Sequence, residues 1–396
     1  MKWIVAAVAI VLAVIVSAVQ LSRPLPAIAV KISHATTALP GKPPSITWQS
    51  GPESALAVAG IGTVGSHGPS TPVPIGSVAK MMTAYLLLQK HPLGQYSSGP
   101  SLKVTAADAA VYQADANSQQ SVAPVVAGET LSERQLIEGL LVASGNNIAT
   151  MVADWVAGSP HAFSAMMNAE AAKLGMTQTH YEGPSGLNPA TVSTPGDEIK
   201  LAETAMKLPA FRQIAAMPQV TWPNVPRPIY NFDYVVGHYG IIGVKTGSTV
   251  QAGGCFVFAA PRPSSGAGTV MVYGAVLGQS GSPNASQLQA SLADGVNLLT
   301  QASGIVKSYS LIKSGQAVGY VSVPWGRSIA IDATGSVTVA GWGGMPVSEH
   351  LSLVAPGPGS SRGTLTVTQG ARHWTIPVAL SSPVPAAPLS WRLVHG

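Results

Sequence analysis

The chain has 396 residues and a net charge of +5, with 9% charged residues against roughly 25% in an average soluble domain. Its surface must therefore be covered largely by Ser, Thr, Asn, Gln and backbone. Basic residues form no long run and do not interleave with aromatics, which argues against a nucleic-acid partner. The single cysteine, Cys255, rules out a disulfide framework or a Cys-based zinc site within one chain.

At roughly 150 residues per domain the length suits two or three domains, each with its own core. Few carboxylates means little stability to lose on acidification, so acidic surroundings would be tolerated.

In chain order, Lys2 precedes the apolar run Trp3 to Val19, with Ser17 its only polar residue. The run is longer than a usual signal core and slightly short of the roughly 20 residues of a comfortable span. Residues 1–22 are read as a signal peptide or an N-terminal membrane anchor; either places the remainder outside the cytoplasm. Ala27-Ile28-Ala29 has the small-x-small form of a cleavage site but lies far from the apolar run. Residues 23–44 are rich in Pro, Ala and Ser and read as a linker.

The main domain is expected over 45–303. Ala55 to Val64, broken by Gly60 and Gly62, reads as a strand hairpin. A buried helix is expected to start near Ser77 and to run through Met81 to Leu88. Thr130 to Glu133 and Ser132 to Gln135 both fit a capping box, ahead of an apolar face at Leu136, Ile137, Leu140 and Leu141. Ser144-Gly145-Asn146 interrupts that helix. Phe163 to Leu174 reads as another helix. Ile241 to Gly247, Gly254 to Ala260 and Thr269 to Leu277 read as strands, and Ala285 to Thr300 as a closing helix. Cys255 reads as a small residue of a buried strand. From 304 to 396, short Val/Ile-rich runs between Gly, Pro and Ser turns predict a β-rich, sandwich-like domain.

Three short patterns carry chemistry. Ser77-Val78-Ala79-Lys80 puts an amine one helical turn from a hydroxyl. Lysine can activate serine if apolar surroundings such as Ile75, Val78, Met81 and Met82 keep it neutral. The Ser77 backbone N–H, at a helix start, lies where an oxyanion would form. Ser144-Gly145-Asn146 offers a hydroxyl for proton relay and an amide for a substrate carbonyl, although such text also serves as a plain helix terminator. Lys245-Thr246-Gly247 follows an apolar strand. A cation and hydroxyl there can hold a terminal carboxylate, while Gly247 leaves room for a peptide beside the strand.

In this order the three patterns resemble the penicillin-binding D-alanyl-D-alanine carboxypeptidases of the serine-lysine acyltransferase superfamily. Pro74 to Thr83, Leu140 to Asn147, Ser185-Gly186-Leu187 and Gly240 to Gly247 are similar to that family's text, and the likeness spans roughly Ile46 to Thr300. The resemblance implies an α+β class: a penicillin-binding/β-lactamase-like transpeptidase domain, with an antiparallel sheet flanked by helices and an inserted helical subdomain, followed by the C-terminal β domain.

It also implies roles. Ser77 would be the nucleophile, Lys80 the general base, Ser144 the relay to the leaving amine and Asn146 the holder of the acyl portion. Lys245 and Thr246 would bind the terminal carboxylate beside Gly247, and the N–H groups of Ser77 and Ser248 would form the oxyanion hole. The substrate would be a peptidoglycan stem peptide ending in D-Ala-D-Ala, with β-lactam antibiotics as inhibitors. No cofactor and no metal are expected, and membrane contact falls to the N-terminal segment alone.

Two departures stand out. Asn147 occupies a position where many relatives have Asp, with little effect expected, and Gly76 replaces a common Ala, which would loosen the helix start. The family's usual C-terminal amphipathic anchor helix is missing from this text.

Gly60-Ile61-Gly62-Thr63-Val64-Gly65 matches a dinucleotide fingerprint but leads into turn residues rather than a helix. Gly359 to Gly363 matches a nucleophile elbow without strand-to-helix context. Two alternatives stay open here: a β-lactamase of the same fold, although Glu182 to Asn188 has the wrong spacing for a deacylating loop, and a non-catalytic peptidoglycan-binding scaffold.

Overall fold

A computed structural model describes residues 1–32, 38–266, 268–281, 286–354 and 362–395. The chain forms two compact units, Pro44–Val306 and a second made of Met1–Pro43 with Lys307–Gly396.

The unit over Pro44–Val306 is α+β and built on a five-stranded antiparallel sheet. Strands β1 (Glu53–Val58) and β2 (Gly62–His67) form the expected hairpin, so the glycines of the dinucleotide look-alike are turn residues. The strands β3 (Val244–Thr249), β4 (Gly253–Ser264) and β5 (Gly268–Gln279) complete the sheet in the order β3-β4-β5-β1-β2, which leaves β3 at an edge. The strand expected from Ile241 starts only at Val244. Gly243 has φ +110 and abuts the Ala215 backbone, a conformation that ends regular pairing there.

Alternation along β4 assigns the two faces. Phe256 and Phe258, with ring centroids 5.6 Å apart, meet the closing helix. A Cβ on Gly295 would fall 2.5 Å from the Phe256 ring, so glycine there lets the helix approach the sheet. Cys255, Val257 and Ala259 join the main hydrophobic core with the helices of the other face.

Those helices are α1 (Lys80–Lys90), α2 (Glu133–Leu141), α3 (Asn146–Ala157) and α4 (Pro195–Ala205), and the closing helix is α5 (Gln287–Gln301). Ala285, expected at the start of α5, lies outside the described residues. Lys80 through Leu88 are all buried, because α1 packs against α2, α3 and α4. Of the two possible capping boxes, α2 uses Ser132 with Gln135, since Thr130 is taken into a short strand over Thr130–Ser132. Phe163 lies buried in the helix Pro160–Lys173.

In the other unit, a six-stranded antiparallel sheet runs Ala29–Ile32, Ala317–Ser322, Ile329–Ala333, Arg372–Leu380, Arg362–Gln369, Ser348–Leu353. A two-stranded pair, Lys307–Ile312 with Val337–Gly341, accompanies it. Val321, Ile331, Val337, Val339, Leu365 and Val367 are buried here. The stretch expected as a linker supplies an edge strand, pairing Ala29 with Ser322 and Ile32 with Gly319, and buries Leu39. Composition hid this, because a short edge strand needs little periodicity. The C-terminal text does contain a short helix, Leu389–His395. Most of the nucleophile-elbow look-alike lies outside the described residues.

No residue of the helix Lys2–Ser22 is buried, and only Ser17, Gln20 and Leu21 are half-buried. With 21 residues and a mean hydropathy of 2.8, it is long and apolar enough to cross a membrane, as an export signal or an anchor also would be.

Candidate active site

Ser77 lies in a 3-10 turn, Gly76–Ala79, that runs directly into α1. In a 3-10 turn residues i and i+3 eclipse, which brings Lys80 back over Ser77. The Lys80 Nζ is 2.7 Å from Ser77 Oγ, 2.7 Å from Asn146 Oδ1 and 3.0 Å from the Ser185 carbonyl oxygen. Lys80 is completely buried. Loss of hydration pushes its pKa well below the usual lysine range, and the nearby Lys245 charge pushes it further, against a smaller pull upward from Asp115.

The second pattern is a break between two helices. Helix α2 ends at Leu141, Ser144 takes a left-handed backbone with φ 55, and α3 begins at Asn146. A left-handed serine is strained relative to glycine. The hydrogen bonds from Gly145 N to Gly139 O (2.8 Å) and from Asn146 N to Ser121 O (2.8 Å) hold the break in place. It leaves Ser144 buried and aims Asn146 at Lys80, while Asn146 Nδ2 donates to Gln120 Oε1 at 2.7 Å. Asn147 points the other way. Its side chain donates to Ala123 O (2.8 Å) and accepts from Ala123 N (3.1 Å), clipping the 121–123 strand of chain to α3.

The third pattern is the edge strand β3. Lys245 and Thr246 are buried, and Lys245 Nζ donates to Thr246 O at 3.0 Å. Burial drives the Lys245 pKa down to about 7, opposed by the Asp233 carboxylate. A Cβ on Gly247 would sit 2.5 Å from Ile75 O and 3.0 Å from Ser77 N, so β3 lies against the turn that carries Ser77. From the other side, a Cβ on Gly76 would be 3.3 Å from Ser248 N. The Ser77 and Ser248 amides thus belong to two backbones in close approach.

Gly76 has φ +53, a conformation that favours glycine, so it fixes the start of the turn rather than loosening it. A Cβ on Gly186 would collide with the Gly76 carbonyl, and Thr83 Oγ1 donates to Pro184 O at 2.6 Å. Through these contacts the Ser185-Gly186-Leu187 loop closes on the turn and delivers the carbonyl that Lys80 meets.

The structure therefore brings together Ser77, Lys80, Asn146, Lys245, Thr246, Gly247 and Ser248, with Ser144 buried at the helix break beside Asn146. Sequence reasoning missed four participants: Gln120, the Ser185 carbonyl, Asp115 and Asp233. Gln120 and Asp115 fall in polar text with no spacing signal, and Asp233 precedes β3 in turn-like text. A backbone carbonyl has no sequence signature at all.

A family model described as D-alanyl-D-alanine carboxypeptidase, peptidase S11, matches residues 63–276. The D-alanyl-D-alanine carboxypeptidase DacB2 of Mycobacterium tuberculosis is 36% identical over 237 residues, which cover 58% of this chain and 76% of that protein. The solved DD-transpeptidase of Streptomyces K15 aligns with TM-score 0.55 at 26% identity, covering 66% of this chain and 98% of that one. The carboxypeptidase DacD structure from Francisella tularensis reaches TM-score 0.62 and covers 86% of this chain and 95% of its own, at 20% identity, a likeness of fold. The match over 63–276 takes in all three patterns, and the chain belongs to the D-alanyl-D-alanine carboxypeptidase family.

Proposed function

We propose that this protein removes the terminal D-alanine from peptidoglycan stem peptides ending in D-Ala-D-Ala, through an acyl-enzyme on Ser77 that β-lactams also form. The observation that carries the reading is the hydrogen-bond geometry at Lys80. A neutral amine has two N–H donors and one lone pair. The Asn146 Oδ1 and the Ser185 carbonyl can only accept, so they take both N–H groups. The lone pair is left for the Ser77 hydroxyl 2.7 Å away. Burial and the Lys245 charge both favour the neutral amine this needs.

The reaction then follows. A peptide lies antiparallel along the free edge of β3, where Gly247 leaves room. Its terminal carboxylate meets Lys245 and Thr246, and Asn146 holds the acyl portion. Ser77 Oγ bonds to the carbonyl carbon of the penultimate D-Ala as its proton passes to Lys80. The oxyanion is held by the N–H groups of Ser77 and Ser248. The C–N bond breaks as the proton moves from Lys80, through Ser144, to the leaving D-alanine amine. Water, giving its proton to Lys80, attacks the ester. The C–O bond breaks, and the proton returns to Ser77 Oγ.

The Lys2–Ser22 helix fits export, as a cleaved signal or an anchor, so the enzyme works outside the cytoplasm, at the cell wall or the outer face of the cytoplasmic membrane. The test is release of D-alanine from a synthetic pentapeptide by the wild-type protein and by Ser77→Ala. Release by the wild type alone is expected; equal behaviour of the two would favour a non-catalytic wall-binding scaffold.

A further inference from the structure

The proposed reaction, on which this inference rests, asks two things of the Asn146 carboxamide at once. Its oxygen must accept an N–H from Lys80, so that the amine's lone pair is left for Ser77. Its nitrogen must keep an N–H for the acyl portion of the substrate. An asparagine amide turned half over fills the same space with these groups exchanged. Here the exchange is harmful. An N–H aimed at Lys80 takes the lone pair that Ser77 needs, and it repels the ammonium formed once the proton has moved. Lys80 cannot fix the orientation by itself, because a neutral amine both donates and accepts.

Gln120 is the other partner of the Asn146 side chain among the described residues. Asn146 Nδ2 donates to Gln120 Oε1 at 2.7 Å, and Lys80 Nζ donates to Asn146 Oδ1 at 2.7 Å. One Nδ2 hydrogen goes to Gln120, and the second is left for a substrate carbonyl. With Gln120 in place the Asn146 amide cannot turn over alone, since two carbonyl oxygens would then face each other across the same short distance. Turning both amides over would put an N–H on Lys80, which only the neutral amine tolerates. The observed direction serves both protonation states of Lys80.

The backbone around Gln120 is held on both sides. The helix Ala106–Asn117 ends just before it, and Gln119 takes a left-handed backbone with φ 57. The Gln119 and Gln120 amides donate to Ala116 O and Asp115 O, each at 3.0 Å. Asn146 N donates to Ser121 O at 2.8 Å, and the Asn147 side chain bonds the Ala123 backbone twice. Of the hydrogen bonds that join residues 120–123 to the start of α3, the one to Gln120 alone involves the amide that faces Lys80.

We propose that Gln120 is a positioning residue: its carbonyl oxygen locks the orientation of the Asn146 amide, which keeps the Lys80 lone pair for Ser77 and one Asn146 N–H for the substrate.

The experiment is the rate constant for acylation of the full chain by a fluorescent penicillin, followed against pH and beside thermal unfolding. Wild type is compared with Gln120→Leu, which has no acceptor, Gln120→Glu, which accepts, and Gln120→Lys, which only donates. At the top of the pH profile Gln120→Leu should lose about tenfold, the weight of one hydrogen bond. Gln120→Glu should restore most of that rate. Gln120→Lys should lose about a hundredfold, because its ammonium draws Asn146 Oδ1 and turns the N–H groups onto Lys80. Charge alone acts differently. It moves the acid limb, to higher pH in Gln120→Glu and to lower pH in Gln120→Lys, and leaves the heights alike. Lys245 and Asp115, the other charges that act on Lys80, are the same in all four proteins.

Equal losses in all three variants, the mark of a merely structural role, would overturn the proposal. So would Gln120→Lys faster than Gln120→Leu, or Gln120→Leu within about threefold of wild type. Where one variant does not fold, the order of the remaining two decides. A wild type that is neither acylated nor releases D-alanine would instead refute the proposed function, and this role of Gln120 with it.

Discussion

Gly247 offers the sharpest perturbation, because its missing side chain is what lets β3 touch the turn that carries Ser77. In Gly247→Ala the new Cβ would stand 2.5 Å from Ile75 O, 3.0 Å from Ser77 N and 3.1 Å from Val78 N. Ordinary contact begins at 3.4 Å, so β3 and the turn must separate by about 0.9 Å. All three obstructing atoms are backbone, and no side-chain rotation relieves them. The gap opens between the two amides assigned to the oxyanion. A displacement near 1 Å, or the loss of one such donor, costs on the order of a hundredfold. The overpacking itself costs about 1–3 kcal/mol of stability, small enough to leave a folded protein. The rate constant for acylation by a fluorescent penicillin, read beside thermal unfolding, is the assay. We expect acylation to fall about a hundredfold with folding retained. A folded Gly247→Ala protein that acylates within about threefold of the wild type would refute the close approach of β3 to Ser77 as the basis of the oxyanion site.

Three further outcomes are expected. Asn147→Ala removes both partners of the Ala123 backbone inside the core and should cost about 2–5 kcal/mol in urea unfolding, whereas the sequence alone suggests a tolerant position. Gly76→Ala forces an alanine to φ +53 and should lose about 1–2 kcal/mol together with activity. Glu198 is fully buried, which drives its pKa from 4.5 up to about 8, with Asp197 adding to the rise and Ser193 opposing it. The unfolded chain gives up this proton above about 4.5, while the fold keeps it until about 8. Stability therefore falls across that window, by up to about 1.4 kcal/mol per pH unit. Glu198→Gln should flatten the decline in melting temperature between pH 5 and 8, and a slope equal to the wild type's would contradict the assignment.

Much of this was legible in the text because the chemistry is local. Ser77 and Lys80 need only one helical turn between them, Ser144 to Asn146 is one break, and Lys245 to Ser248 is one strand. Hydrophobic runs gave the hairpin β1–β2, α1 and the closing helix for the same reason. What sequence could not supply is what long-range packing decides. The Ser185 carbonyl reaches Lys80 across 105 positions, and Gln120 reaches Asn146 across 26. Gly76 reads as a weak helix start until its positive φ and its closeness to Ser248 are seen. The segment 23–44 reads as linker because its strand pairs with residues almost three hundred positions away. Asp233 looks like turn text, and only the fold buries it.

In the proposed reaction Ser77 is the residue that Lys80 makes nucleophilic. The most direct test is the intact mass of the protein after incubation with benzylpenicillin, followed by mapping of the modified peptide. One added penicilloyl group on the peptide that contains Ser77, absent in Lys80→Met, is the predicted result. An adduct on another residue, or an undiminished adduct in Lys80→Met, would contradict it.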